Sequence, residues 1–371
     1  MQGESIKTTN NLFSDCGISQ ADIDKRINDT FHAIFDDQQN RFYFDLDENT
    51  SYIMDTGNND ARSEGISYGM MMCVQRNDKK KFDHLWCFAK RYMWQKAGPY
   101  QGYFAWSVKP DGTKNAQGPA PDGEEYFAMS LFFASNLWGD GEPPLDYSVQ
   151  ARDILHHCLH QHEMVRGGRP MWEPQNALIK FVPDLPFSDP SYHLPHFYTL
   201  FAKWADEADR DFWLRAAAQS RAYLTLSCHP QTGMAPEYAH FDGTPEALHG
   251  HDNFYNDAYR VAMNIGLNAA WYGQRSEYKT IVDHLQAFLS TKEPYRTYQI
   301  DGTPLKTPAL HPVAIIATTA AASLATDTPL SREWVKKFWN TPLRTDERRY
   351  YDNCLYFFCL LMLAGQYTII L

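Results

Sequence analysis

The chain has 371 residues, of which 44% are hydrophobic and 15% aromatic, and a formal net charge of −11. That charge excludes nucleic acid and anionic membrane surfaces as partners, because both are held by clustered Lys and Arg. No Ser/Gly linker, low-complexity run or shift in composition divides the chain, so one domain over 1–371 is expected.

In chain order, charged amphipathic stretches alternate with uncharged ones. The charged set lies at about 20–36, 79–95, 147–163, 207–225, 276–290 and 331–340. Each is followed by one of six uncharged stretches, 66–75, 126–139, 190–202, 261–274, 307–326 and 353–371. In 207–225 the apolar residues recur at three- and four-residue spacing, the pattern of a helix with one wet face. A segment of helical length that is apolar all round is a helix buried on all sides. Six of each, strictly alternating, predict two concentric rings, an all-α (α/α)6 barrel. A two-layer bundle would not need six helices buried all round.

The run after Asp352 carries no charge to the C-terminus and has some look of a membrane span. Gly365, Gln366 and the ending Thr368-Ile369-Ile370 break it after about twelve residues, which suits a core helix. The start of the chain lacks the apolar run of a secretion signal. The seven cysteines are odd in number, and several sit inside apolar patterns, which fits a reducing compartment. A cytoplasmic location is expected.

Three uncharged stretches open on an acid: Glu64 before 66–75, Asp122 before 126–139 and Asp257 before 261–274. Each alone reads as a helix cap or first-turn acid, and Asp122-Gly123-Glu124-Glu125 fits a capping box. Alternate helices of a double ring start at the same rim, however, so the three acids would share one mouth. The long turn-rich loops 40–62 and 97–121 border it, with aromatic residues that include Tyr103, Phe104, Trp106, Tyr126, Tyr192 and Tyr255. A helix N-terminus favours the ionised carboxylate that a base needs, whereas a general acid needs a raised pKa. Two such acids among aromatic platforms are the equipment of a glycosidase.

The run Arg62-Ser63-Glu64-Gly65-Ile66-Ser67-Tyr68-Gly69-Met70 resembles the Ser-Glu-Gly-x-x-Tyr-Gly-Met motif of glycoside hydrolase family 8. Ala120-Pro121-Asp122-Gly123-Glu124 is similar to that family's Ala-Thr-Asp-Gly-Asp station, with Pro and Glu as departures. Asp189-Pro190-Ser191-Tyr192 and Asp257-Ala258-Tyr259-Arg260 resemble two further motifs. Within the family, Met54–Asp60, Tyr192–Tyr198, Leu310-His311-Pro312-Val313 and Arg349–Asn353 are most similar to the reducing-end xylose-releasing exo-oligoxylanases.

The resemblance implies an inverting hydrolase that frees xylose from the reducing end of β-1,4-xylo-oligosaccharides, with no cofactor. It implies Glu64 as general acid, Asp257 as general base, Tyr192 as a holder of the attacking water, and Asp122 as a binder of the sugar before the scissile bond. It also implies that the Leu310-His311-Pro312 loop closes the leaving-group side, with His311 reading the reducing-end hydroxyl. Inversion requires the two working carboxylates to stand about 6.5–9.5 Å apart, so Glu64 should not touch Asp257. Arg260 follows Asp257 by one helical turn and would keep it ionised. Trp106 suits either a stacking platform for a pyranose or a core indole.

Other readings stay open: an endo-acting family 8 hydrolase on xylan, β-glucan or chitosan, an isomerase or epimerase using His193 and His311, or a sugar-binding protein without catalysis. The run His156-His157-Cys158-Leu159-His160-Gln161-His162 has ligand pairs at i, i+4, His156 with His160 and Cys158 with His162. No second ligand cluster has an obvious spacing, so no native metal is expected, only weak adventitious binding of nickel or zinc. The oligomeric state is not legible in the sequence.

Overall fold

The computed structural model describes residues 5–6, 11–273 and 275–371. Among the described residues, twelve helices of ten or more residues alternate between two environments. The half-exposed set is α1 (Gln20–Phe35), α3 (Lys79–Phe88, continued by a π-turn to Met93), α5 (Tyr147–Met164), α7 (Arg210–Leu226), α9 (Arg275–Leu289) and α11 (Pro329–Trp339). The buried set is α2 (Ser63–Gln75), α4 (Pro121–Trp138), α6 (Pro195–Trp204), α8 (Arg260–Tyr272), α10 (Pro312–Ala321) and α12 (Arg349–Leu363). This is the (α/α)6 barrel that the alternation predicts.

Each set follows from its pattern of side chains. In α1 the buried residues Ile23, Ile27, Thr30 and Ile34 mark a single stripe, and Ser19 caps the helix by accepting from the Asp22 amide. In α12 every residue from Tyr350 to Leu363 is buried, the charged Asp352 included. Burying each large apolar side chain contributes about 1.5–3 kcal/mol, so the inner ring is where most of the stabilisation resides. The helix stops at Leu363, Gly365 turns the chain with φ +66°, and Ile369–Ile370 pairs antiparallel with Ser5–Ile6. Among the described residues no helix is long and apolar enough to cross a membrane.

Two uncharged stretches start earlier than their helices. Residues Pro190–Tyr192 form a 3-10 turn before α6, and Pro304–Pro308 form a strand before α10. In both, a proline at the first helical position sets the start, since the residue before a proline is pushed out of the helical region.

Short antiparallel strands tie the rim loops together. Tyr43–Asp45 pairs with Ser51–Ile53, and Ala61–Arg62 pairs with Ser107–Val108 immediately before Glu64. A three-stranded sheet orders Asn253–Phe254, Arg296–Gln299 and Pro304–Pro308 side by side. It fixes the segment leading to Asp257 relative to the one leading to His311, 54 residues along the chain.

Candidate active site

Two glycines let the acids meet. A Cβ on Gly65 would lie 2.7 Å from the Tyr350 hydroxyl, and one on Gly123 would lie 2.6 Å from Ser63 Cβ. Without those side chains α12 approaches the start of α2 closely enough for Tyr350 to donate to Glu64 Oε1 at 2.7 Å. The start of α4 likewise packs on the start of α2, placing Asp122 beside Glu64. Here glycine serves close backbone approach rather than flexibility.

The guanidinium of Arg260 gathers the cluster. Nη1 donates to Glu64 Oε2 at 3.0 Å, to Asp122 Oδ2 at 2.8 Å and to the Tyr68 hydroxyl at 2.9 Å. Nη2 pairs with Asp257 Oδ1 at 3.1 Å and stands 4.0 Å from Asp189 Oδ2. The one-turn spacing of Asp257 and Arg260 therefore forms the expected pair, but the pair belongs to a buried network of four carboxylates. Glu64 and Asp257 occupy different nitrogens and share the guanidinium without a bond between them.

Burial dominates the electrostatics. Burial, opposed by Arg260 and reinforced by Asp122 and Asp257, pushes Glu64 up to about 7. Burial also raises Asp122 against the pull of Arg260. The helix-N-terminus argument, which favours the ionised forms, is thus outweighed at both residues. Asp189 lies well above the usual carboxylate range through burial and the nearby charge of Asp257. The Asp257 side chain is the most open of the four, at 32% exposure against 14% for Glu64 and less for Asp122 and Asp189.

Asp257 sits in a 3-10 turn, Asn256–Tyr259, that leads into α8. Asn256 has φ +28°, a strained value for a residue with a side chain, and its carbonyl accepts from the Tyr351 hydroxyl at 3.1 Å. Tyr351 therefore helps hold the turn that presents Asp257.

Two cavities flank the acids, and Arg62, Glu64, His251 and Asp257 line both. The larger, about 370 Å3, is also walled by Trp106, Asp122, Phe181, Tyr192 and Tyr238. Trp106 is 36% exposed, with the Arg62 guanidinium 5.3 Å from its ring centre, so its indole is not sealed in the core. The smaller, about 190 Å3, is lined on its far side by Leu310, His311, Arg348, Tyr350 and Tyr351. A larger groove of 790 Å3 beside Trp339 shares no lining residue with either.

Each expected site residue, Glu64, Asp257, Asp122, Tyr192, Arg260, Trp106 and His311, thus borders one of the two cavities or both. The sequence reading missed their supports. Asp352 is fully buried and accepts from His311 Nδ1 at 2.9 Å, from the Ala314 amide at 2.7 Å and from Arg344 Nη1 at 2.6 Å. Arg344 also donates to the Leu310 carbonyl at 2.6 Å, so the loop is pinned from both ends. His251 pairs with Glu237 at 2.8 Å. Asp189, Tyr350 and Asp352 all lie inside the quoted family-like runs, which were the available signal.

Other acids and histidines serve structure. Glu124 accepts from the Phe104 amide at 3.0 Å, anchoring the 97–121 loop, and burial pushes it up to about 8. Glu125 accepts from the Tyr198 hydroxyl, which also reaches the Tyr192 carbonyl at 3.1 Å. His193 is enclosed between Ser188 and Ser220, each at 2.8 Å, and burial depresses it to about 3. It borders neither cavity, which removes one half of the proton-transfer pair that an isomerase would need.

The pattern of Glycosyl hydrolases family 8 matches residues 48–365. The chain is 54% identical over 365 residues to the reducing-end xylose-releasing exo-oligoxylanase Rex8A of Paenibacillus barcinonensis, covering 97% of this chain and 96% of that one. It is 53% identical to a reducing end xylose-releasing exo-oligoxylanase of Halalkalibacterium halodurans, covering 97% and 94%. A crystal structure of a reducing-end-xylose releasing exo-oligoxylanase variant complexed with xylobiose superposes with a TM-score of 0.97, at 52% identity and 98% coverage of each chain.

Proposed function

The chain belongs to glycosyl hydrolase family 8, and from that membership and the shape of its mouth we propose that it is an inverting exo-hydrolase releasing xylose from the reducing end of β-1,4-xylo-oligosaccharides of three or more units. One observation carries this reading. Glu64 and Asp257 lie where a larger aromatic cavity meets a smaller, more polar one. The smaller is below the about 300–1,000 Å3 that holds a drug-sized ligand, which suits one sugar on the leaving side.

Glu64, held near neutrality by burial, protonates the departing glycosidic oxygen. Asp257, more open to water, takes a proton from the water that attacks the anomeric carbon, and Tyr192 helps to place that water. Arg260 stays between the two and prevents them from sharing a proton. Asp122 binds the sugar before the scissile bond, and Trp106 offers its exposed face to a pyranose ring. His311, oriented through Nδ1 by Asp352, leaves its other nitrogen for the hydroxyl of the reducing end.

The test is a time course on xylotriose labelled at its reducing end. Labelled xylose with unlabelled xylobiose is the expected result. Label retained in larger fragments, or cleavage of polymer without oligomer, would overturn the exo reading in favour of an endo-acting enzyme.

A further inference from the structure

We infer that His156, His160 and Asp209 bind one divalent transition-metal ion of the zinc or nickel class on the outer wall of the barrel, where it ties α5 to the start of α7. The two histidines stand one turn apart on α5, and Asp209 is the residue that precedes α7. Each offers one ligand atom, and all three atoms lie within 4.8 Å of one another. Ligands around such an ion sit at about 2.0–2.2 Å from it, so small side-chain rotations complete the set. Two imidazoles and a carboxylate select zinc, nickel or copper over calcium and magnesium, which prefer oxygen alone.

The surroundings already orient the ligands. His160 Nδ1 lies 3.1 Å from Glu163 Oε1, while its Nε2 faces Asp209 Oδ1 at 2.8 Å. This is the carboxylate–histidine arrangement that fixes which nitrogen meets a metal. His156 has Asp206 at 3.4 Å, so two further carboxylates supply negative charge around the three ligands. The His156 side chain is 42% exposed and that of Asp209 only 11%. The site therefore has a fixed floor and an open side, where water can complete the coordination. Asp209 is 49 residues from His160 in the chain, and for that reason ligand spacing along α5 could not reveal it.

The site is separate from catalysis, since none of these residues borders either cavity at the acids. An ion there would stabilise the outer ring without altering the chemistry.

The full chain, without any added polyhistidine and stripped with chelator, is titrated with zinc chloride at neutral pH by calorimetry. One equivalent is expected, with a rise in Tm of about 3 °C at a hundredfold excess over Kd. His160→Gln and Asp209→Asn should each weaken binding at least about tenfold, and both should hydrolyse xylotriose at the unchanged rate. His156→Gln, at an exposed position, gives the same reading should either of those variants fold poorly. Substoichiometric binding, or binding undiminished in the variants and so owed to others of the 14 histidines, would overturn the assignment.

Discussion

On one side of Glu64 and Asp257 the mouth widens to about 370 Å3 and is walled by Trp106, Phe181, Tyr192 and Tyr238; on the other it narrows to about 190 Å3 among Asp55, Asn58, Glu237, Asn256, His311 and Arg348. Aromatic faces accept successive sugar rings with little demand on hydrogen-bond geometry, so the wide side tolerates a chain of varying length. Buried polar groups penalise any ligand that leaves them unpaired, so under the proposed function the narrow side reads one end. In the proposed reaction the acids common to both sides carry the chemistry, and the asymmetry around them sets the direction of attack.

The largest expected effect removes what the two sides share. Glu64→Gln should lower xylotriose hydrolysis at least about a hundredfold. The same change should raise Tm at neutral pH. The Glu64 pKa of about 7 lies above its ordinary 4.5, so its contribution to stability is full below pH 4.5 and is lost as pH rises through about 7. Glutamine suffers no such loss, and melting curves across that window check the sign. A wild-type Tm at or above that of the variant near pH 7 would contradict it.

Next in size is the alkaline limb of the rate. A general acid must be protonated, so kcat/KM should fall about tenfold per pH unit above about 7 and level off just below it. A profile flat to pH 9 would remove Glu64 from that role.

The two sides then separate. His311→Ala should cost about tenfold in kcat/KM, the size of one lost hydrogen bond, and should let xylobiose appear from the reducing end of xylotetraose. Trp106→Ala should cost less, about fivefold in KM, with the product pattern intact. If the tryptophan variant instead changed the products, the assignment of wide and narrow sides would be reversed.

Much of this was legible in the chain. The inner ring was visible because a helix buried on all sides admits few charges, and 353–371 or 126–139 show that directly. The placement of Glu64, Asp122 and Asp257 at a common rim followed from alternation alone. The turn-first starts of α6 and α10 carried a signal too, in Pro195 and Pro312, that apolar patterning overrode.

Sequence by itself determined the barrel and the acids at its mouth, because burial periodicity and helix starts are local properties. Only the tertiary structure decided what each acid is. Asp352 and Glu64 look alike as first-turn acids of inner helices, yet one holds a loop through three donors and the other is pushed up to about 7 by burial beside Arg260. That difference comes from partners 8 to 286 residues away and from the depth of burial. Desolvation and Coulomb coupling depend on distance in space, which spacing along the chain does not contain.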